Sequence, residues 1–232
     1  RKILGYVKPK ALVTDREDLI AEFGKEYRIV TPSEAAKAKP FSGARDCKED
    51  DHYALYYSSG TTASPKGVLY SHGNVYSLIA SIHEDFKFSA STRQLALLPF
   101  GHTASINYNI LPAFFAGSPL FVSKGFQELR SNFFEVLARH KINYVEIVPS
   151  VLLMLVNLKH KVQGLDLSSV EFVGCGSSTL PLDSQKRFTQ LYGLKVANLY
   201  GLSETGPSHI DDPREPGWEP GSRTSIVTCP FV

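Results

Sequence analysis

Residues 57–67 read Tyr-Ser-Ser-Gly-Thr-Thr-Ala-Ser-Pro-Lys-Gly. The run is rich in small and hydroxyl-bearing residues, carries one lysine, Lys66, and has Tyr57 as its single bulky side chain. Apolar residues flank it at Tyr53–Tyr57 and Val68–Tyr70, a pattern that predicts a loop between two strands. Backbone N–H groups of such a loop can approach a ligand closely, and the hydroxyls and the lysine add donors and charge. This chemistry suits a polyphosphate; a flexible surface turn is the alternative interpretation.

The spacing differs from a Walker loop, which needs Gly-Lys-Ser/Thr at the start of a helix, because Lys66 stands between Pro65 and Gly67. The run resembles the phosphate loop of the adenylate-forming superfamily, which includes acyl-CoA synthetases, aryl-CoA ligases, nonribosomal adenylation domains and luciferases. The family pattern is Ser-Gly-Thr-Thr-Gly-x-Pro-Lys-Gly, and Ala63 is the one departure from it. The resemblance implies that the nucleotide phosphates are bound by Ser59, Gly60, Thr61, Thr62 and Lys66.

Composition narrows the class of protein. The 232 residues suffice for one or two domains, and 43% hydrophobic with 21% charged residues is ordinary for a globular chain. A net charge of +2 gives no reason to expect a nucleic-acid partner. The three cysteines are scattered without metal-ligand spacing, which favours a reduced, cytoplasmic setting. The most apolar segment, Val145–Leu158, contains Glu146 and Pro149 and is too short for a membrane span, so none is predicted.

Strand and helix patterns alternate along the chain. Apolar runs predict further strands at Ala11–Val13, Tyr27–Val30, Gln94–Leu98, Leu120–Val122, Ile142–Val148, Val170–Val173 and Val196–Leu199. Periodicity predicts helices at Asp15–Phe23 with Asp15 as N-cap, Val75–Phe86, Ser105–Ala116, Phe126–His140, Ser150–His160 and Leu182–Tyr192. A connector is predicted at Pro32–Asp51 and a loop-like segment after Pro207. The alternation predicts an α/β fold of βαβ units with mainly parallel sheets, in which ligands bind at the carboxyl ends of strands.

A second polar stretch, Asn198-Leu199-Tyr200-Gly201-Leu202-Ser203-Glu204-Thr205, follows the last predicted strand. An aromatic ring can stack on a purine, and a carboxylate can hold Mg²⁺ shared with phosphate oxygens. The stretch resembles the superfamily motif Tyr-Gly-x-Thr-Glu, with Ser203 at the threonine position. The resemblance implies a nucleotide-binding run from Asn198 to Ser203 that includes Gly201. In it, Tyr200 lies against adenine and Asn198 contacts the exocyclic amine, while Ser203 touches the α-phosphate and Glu204 binds Mg²⁺. A strand-ending turn with a solvated glutamate is the alternative.

Two further segments resemble the family more loosely. The family's adenine-lining loop reads Gly-Gly-Ala-Pro-Leu, and Gly176, Ser177 and Ser178 fill the corresponding positions here. In the family an aromatic residue or histidine near Pro99–His102 lines the acyl channel, which makes His102 the candidate for that role. A structurally satisfied histidine is the alternative.

The resemblance extends over Tyr53–Gly206 and implies part of an acetyl-CoA-synthetase-like N-terminal domain. It implies attack of a carboxylate on the α-phosphorus of ATP, then transfer of the acyl group to a thiol, usually that of coenzyme A. Lys66, Ser203 and Glu204 are the expected catalytic residues, with Mg²⁺ on Glu204. The family's Thr-Gly-Asp motif and its C-terminal lid domain are not found after Glu204. We therefore expect residues 1–232 to form a partial AMP-binding domain with little or no adenylation activity alone.

Three functions remain open. The first is an acyl- or aryl-CoA ligase, the second an adenylation domain that loads a carrier protein, and the third a non-catalytic nucleotide-binding module. Phe100–Asn107 contains no acidic residue to pair with a substrate ammonium group, and burying an unpaired ammonium is costly. The sequence therefore favours a plain fatty or aryl acid over an amino acid.

Overall fold

The structure is a computed structural model that describes residues 2–40, 43, 46–58, 66–221 and 225–226. The described residues fall into two compact units, one before Lys48 and one from Lys48 onward. No helix of the described ranges is long and apolar enough to cross a lipid bilayer.

The first unit contains two parallel strands. Its elements are α1 Lys2–Val7, β1 Ala11–Val13, α2 Glu17–Phe23, β2 Arg28–Val30 and α3 Pro32–Ala36. Strand β1 pairs with β2 over its whole length, so β1-α2-β2 is a βαβ unit as predicted. The prediction of Asp15 as N-cap is wrong, because α2 begins at Glu17 and its N-cap Arg16 makes no side-chain capping bond.

The predicted connector at Pro32–Asp51 begins with a helix, so that prediction is wrong over its first residues. The Thr31 side chain accepts a hydrogen bond from the Glu34 N–H, and the Glu34 carboxylate accepts one from the Thr31 N–H, which completes a capping box. Pro32 occupies the first turn of α3, where its missing N–H costs nothing.

The second unit opens with an antiparallel hairpin of β3 His52–Ser58 and β4 Lys66–Ser71. Helix α4, His72–Phe86, follows β4 directly and begins three residues before the predicted Val75. The Ser71 side chain caps the Asn74 N–H while the Asn74 side chain accepts from the Ser71 N–H. This reciprocal cap fixes where the hairpin ends and the helix starts.

A seven-stranded sheet forms the centre of the second unit, in the order β6-β5-β7-β8-β9-β10-β11 across the described residues. Its strands are β5 Gln94–Ala96, β6 Leu120–Val122, β7 Tyr144–Ile147, β8 Phe172–Cys175, β9 Val196–Leu202, β10 Gly206–Ile210 and β11 Ser225–Ile226. All pairs from β6 to β9 are parallel, whereas β10 is antiparallel to both β9 and β11. The predicted mainly parallel α/β fold is confirmed.

Helices connect the parallel strands. They are α5 Thr103–Ser105, a π-helical segment Ile106–Ile110, α6 Leu111–Ala116, α7 Phe126–Leu129, α8 Phe133–Arg139, α9 Pro149–Leu158 and α10 Leu182–Tyr192. The predicted single helix Phe126–His140 is wrong, because the chain leaves helical geometry at Asn132, with φ of −135°. Pro112 lies in the first turn of α6, where proline is tolerated. The predicted helix Ser105–Ala116 therefore continues across Pro112, as the π-helical segment followed by α6.

Residues 208–210 after Pro207 continue a strand, so the predicted loop begins later than expected, and residues 211–221 form it without helix or strand. Strand β10 begins before Pro207, and its register with β9 shifts between Pro207 and His209. A proline is tolerated in a strand at such an irregularity, where no ladder hydrogen bond needs its nitrogen.

The core lies on both faces of the main sheet. On one face the fully buried rings of Tyr144 and Phe172 meet the ring of Phe86 from α4, each with centroids 5.6 Å away. Edge-to-face contacts of this kind add stability beyond their buried area. They hold α4 against the sheet, and α4 in turn holds the end of β4 close to the sheet.

Candidate functional site

The first motif is the hydroxyl-rich run of residues 57–67, and the structure describes only its two ends. Ser59, Gly60, Thr61 and Thr62 lie outside the described residues. On either side of them, Ser58 at the end of β3 pairs with Lys66 at the start of β4. Lys66 is exposed, so its ammonium group is available to a ligand at the base of the loop.

Strand β4, which leaves the first motif, is hydrogen-bonded directly to the second motif, the stretch of residues 198–205. The Tyr70 hydroxyl, on β4, donates a hydrogen bond of 2.6 Å to the backbone carbonyl of Ser203. These residues are 133 positions apart in the chain. Because Tyr70 is buried, the bond lies in a protected environment, where an unmade hydrogen bond would be costly. The bond therefore keeps Ser203 next to β4.

A cavity of about 240 Å³ lies beside this bond. Its lining comes from β4, from α4 and from the turn that carries the second motif, namely Val68, Leu69, Tyr70, Asn74, Leu78, Glu204 and Thr205. Glu204 is exposed at this cavity. A carboxylate and a strand that continues from Lys66 thus border the same space.

The turn Ser203–Thr205 is held by a hydrogen bond across it and by close packing of the glycines on either side. The Thr205 hydroxyl accepts a hydrogen bond from the Leu202 N–H at 3.3 Å. Gly206 has a φ of +67°, and a Cβ on it would lie 2.6 Å from the Leu78 side chain of α4. A Cβ on Gly201 would lie 2.3 Å from the Gly206 carbonyl oxygen. Both glycines are therefore needed for the tight approach of β9, β10 and α4, independently of any ligand.

Tyr200 and Asn198 lie two residues apart on β9 and so point to the same side of the sheet. The Tyr200 ring is 56% exposed and makes an edge contact with His209 at 5.9 Å, which leaves ring surface open for stacking. Asn198 is half-buried, and its backbone carbonyl accepts from the Asp211 N–H at 3.0 Å.

Gly176, Ser177 and Ser178, called the glycine loop from here on, follow β8, which lies next to β9. Cys175 pairs with Asn198 in the parallel register, so Gly176 and Ser177 continue beside Asn198 at the carboxyl ends of both strands. Gly176 is buried, and a Cβ on it would lie 2.8 Å from the Leu199 carbonyl oxygen. Ser177 has a φ of +72°, and Ser177 and Ser178 are both exposed. The second and third predicted segments therefore lie together.

His102 has a structural partner. Its Nδ1 accepts a hydrogen bond from the Ala104 N–H at 3.1 Å and caps the short helix α5. The ring is exposed and does not line the cavity at Glu204. A second cavity of about 190 Å³ lies just before it, lined by Leu97, Leu98, Pro99, Phe100, Ser123, Lys124 and Gly125. The channel role of His102 stays a prediction.

In the sequence Glu146 is only a break in an apolar segment, whereas the structure places it opposite Gly174, next to the start of the glycine loop. Glu146 is fully buried on β7, opposite Gly174 on β8, and accepts a 2.6 Å hydrogen bond from the Tyr144 hydroxyl. Burial raises the pKa of Glu146 to about 8, against the smaller lowering effect of the Tyr144 bond. A lone carboxylate inside an apolar strand was the signal for it in the sequence.

A magnesium site would depend on phosphate. The described residues contain no group of three or more His, Cys, Asp or Glu side chains able to hold a metal. Mg²⁺ in nucleotide sites takes one or two carboxylates and completes its shell with phosphate oxygens and water. The exposed Glu204 at its cavity fits that donor set.

The fold matches solved structures over nearly the whole chain. The ATP-bound structure of MatB from Rhodopseudomonas palustris gives a TM-score of 0.83 at 21% identity, covering 97% of this chain and 46% of that one. An adenylation domain of a keto acid-selecting nonribosomal synthetase module gives 0.80 at 16% identity, covering 91% and 43%. At these identities the likeness concerns the fold alone.

The sequence establishes the family. The profile of the family described as "AMP-binding enzyme" matches residues 1–230, and the chain belongs to that family. A sulfoacetate–CoA ligase of Cupriavidus necator is 28% identical over 163 residues, covering 70% of this chain and 31% of that enzyme. A long-chain-fatty-acid–CoA ligase of Bacillus subtilis is 32% identical over 167 residues, covering 68% and 28%. The matched part of the chain spans about a third of these curated relatives. The predicted membership of the adenylate-forming superfamily is confirmed.

Proposed function

We propose that the protein activates a carboxylic acid with ATP to give an acyl adenylate and then transfers the acyl group to coenzyme A. The observation that carries the proposal is the Tyr70–Ser203 hydrogen bond, because it joins the strand leaving the first motif to the second motif. Family membership and the CoA-ligase relatives support the same reaction.

In the proposed first step a carboxylate oxygen attacks the α-phosphorus of ATP and pyrophosphate leaves. The protein's contribution is to align the reactants and to neutralise developing negative charge. In this proposal Lys66 and residues 59–62 bind the phosphates, and Ser203 contacts the α-phosphate. Mg²⁺ on Glu204 would supply further charge to the phosphate oxygens. In the second step the coenzyme A thiol attacks the acyl carbonyl and AMP leaves.

In the proposed site the nucleotide base lies between the carboxyl ends of β8 and β9. Tyr200 offers exposed ring surface, Asn198 offers an amide beside it, and Gly176–Ser178 offers backbone without bulky side chains. Aromatic stacking together with backbone contact is a common way to hold a purine. His102 remains the proposed acyl-channel residue.

The acceptor separates the two enzyme candidates. The names of the curated relatives favour coenzyme A as the acceptor, and loading of a carrier protein is the second candidate. A plain fatty or aryl acid is the proposed substrate class, and the cytoplasm the proposed location.

The test is ATP–pyrophosphate exchange with a panel of fatty and aryl acids, followed by thioester formation with and without coenzyme A. The expected result is acid-dependent exchange by the longer protein that contains these residues, and coenzyme A-dependent thioester. Exchange without thioester on coenzyme A would favour a carrier protein, and nucleotide binding without exchange would favour the non-catalytic module. Lys66→Ala and Glu204→Ala should lower exchange by about 100-fold or more. Lys186→Ala and Glu215→Ala, at exposed positions away from the motifs, are matched controls.

A further inference from the structure

The buried carboxyl of Glu146 occupies a space that two glycines leave open. A Cβ on Gly174 would lie 2.0 Å from Glu146 Oε2 and 2.5 Å from the Tyr144 hydroxyl. Real Cβ atoms do not approach other atoms this closely, so only glycine at position 174 is compatible with the Tyr144–Glu146 pair. The pair and the glycine therefore form one packed unit across β7 and β8.

The second carboxyl oxygen faces the start of the glycine loop. Glu146 Oε1 is 3.5 Å from the position that a Cβ of Gly176 would take. Among the residues that the structure describes, none forms a hydrogen bond with this buried atom. The Gly176 N–H donates to the Ile147 carbonyl at 3.3 Å, so the loop is tied to the strand that carries Glu146.

The surroundings of Glu146 favour its uncharged form. The titratable groups that face it are the phenol of Tyr144 on β7, the phenol of Tyr108 on the π-helical segment and the thiol of Cys175 on β8. Burial and the nearby carboxyl raise the pKa of all three groups, so none supplies a positive charge or readily ionises. An ionised carboxylate at this place would lack a compensating charge and would be costly.

We propose that Glu146 is a positioning residue for nucleotide binding, whose uncharged carboxyl supports the Gly176–Ser178 loop from below and sets its height above the sheet. The inference rests on the proposed function, in which that loop contacts the nucleotide. Ionisation of Glu146 would draw water or donors toward Oε1 and so disturb the packing of Gly176, the loop residue nearest to that oxygen. A neutral side chain of the same shape should therefore preserve the loop, and a smaller one should not.

The experiment compares the wild-type chain with Glu146→Gln, Glu146→Ala and Leu137→Ala. Leu137 is fully buried on α8 and is not among the groups that face Glu146, so its truncation serves as the control for a general loss of stability. The readout is the Kd of ATP with Mg²⁺ by calorimetry at pH 7 and pH 9, with thermal unfolding measured in parallel. If only the protonated form is competent, wild-type affinity falls about tenfold over this interval beyond the change seen in Glu146→Gln. Glu146→Ala should bind about tenfold more weakly at pH 7, whereas Leu137→Ala should bind like wild type despite a lower Tm.

Hydrogen exchange of the amides of residues 174–178, compared between variants at one pH without nucleotide, is the second measurement. Protection should be equal in wild type and Glu146→Gln and lower in Glu146→Ala. The same pH dependence of affinity in wild type and Glu146→Gln, or equal protection in Glu146→Ala and wild type, would overturn the proposal. Failure of wild type to bind ATP would count against the proposed function instead, and the exchange data would still decide whether Glu146 positions the loop.

Discussion

The Tyr70 hydroxyl and the Ser203 carbonyl oxygen lie 2.6 Å apart, although 133 residues separate them in the chain. This bond links β4, the strand that follows the hydroxyl-rich motif, to the turn that carries Glu204. The cavity bordered by Tyr70 and Glu204 lies directly beside it.

Tyr70→Phe should remove this bond and leave the Ser203 carbonyl without the Tyr70 donor. We expect a loss of about 1 kcal/mol in the free energy of unfolding and a several-fold weaker affinity for ATP, because the turn with Glu204 is no longer held. Denaturant unfolding and calorimetry measure the two effects. Tyr76→Phe, at a residue 65% exposed on α4, is the control and should leave both quantities unchanged. Wild-type affinity in Tyr70→Phe would separate the bond from the nucleotide site.

Gly174→Ala should destabilise the protein strongly, by about 2–3 kcal/mol, because the added methyl group collides with Glu146 and Tyr144. In a Glu146→Ala background the same substitution should cost less, since one collision partner has gone. A double-mutant cycle of unfolding free energies measures this coupling. Gly101→Ala, where a Cβ would meet nothing within 4 Å, is the control. Additive effects of the two substitutions would argue against the packed unit.

Glu146 should make stability depend on pH. Its folded-state pKa is raised to about 8 from an ordinary value of 4.5, so the folded protein retains a proton that the unfolded chain releases. Its contribution to stability is therefore fully present below about pH 4.5 and is lost as pH rises to about 8, at up to roughly 1.4 kcal/mol per pH unit. Glu146→Gln should flatten this slope and be more stable than wild type at pH 8. Unfolding free energies at pH 5, 6, 7 and 8 decide it, and parallel slopes for the two proteins would contradict it.

Asp211 should anchor the segment after β10. Its buried carboxylate accepts from the Trp218 indole N–H and from the Gln185 side chain at 3.3 Å. Asp211→Asn replaces one acceptor oxygen by a donor, so one of these bonds is lost, at a cost of about 1–3 kcal/mol. Trp218 is the single tryptophan of the chain, so its fluorescence should shift with the loss of the bond. Glu215→Gln, at an exposed neighbour, should change neither fluorescence nor stability.

The architecture was predictable where local pattern and burial agree. The apolar runs at Ala11–Val13 and Leu120–Val122 became strands with those bounds, and the periodic stretch Leu182–Tyr192 became α10. Parallel pairing followed from strand–helix alternation, because a crossover helix leads back to a parallel neighbour.

Other features depended on contacts that local pattern does not contain. The stretch around Pro207 is polar and interrupted by proline, and it forms β10 because β9 offers a partner edge and a register shift accommodates the proline. Asn132 interrupts a periodic apolar stretch that otherwise indicates one helix. The capping box of α3 is visible in the sequence as Thr31 followed three residues later by Glu34, although the polar composition of residues 32–51 indicates a connector.

The candidate site was predictable as separate motifs, not as a geometry. Adjacency of Gly176 to Asn198 follows from the β8–β9 register, and that of Ser203 to Tyr70 from a long-range bond. The role of Glu146 beneath the loop requires knowing that Gly174 lies opposite it, which a single sequence does not reveal.

The central claim is that the hydroxyl-rich motif and the Glu204 motif bind one nucleotide. Its most direct test is the Kd of ATP with Mg²⁺ for the wild-type chain, Lys66→Ala and Glu204→Ala, with Lys186→Ala and Glu215→Ala as controls. We predict that each of the first two substitutions weakens binding at least about tenfold, as expected for loss of a charged contact worth some 1.4 kcal/mol or more, while both controls bind like wild type. Unchanged affinity in either Lys66→Ala or Glu204→Ala would contradict the account.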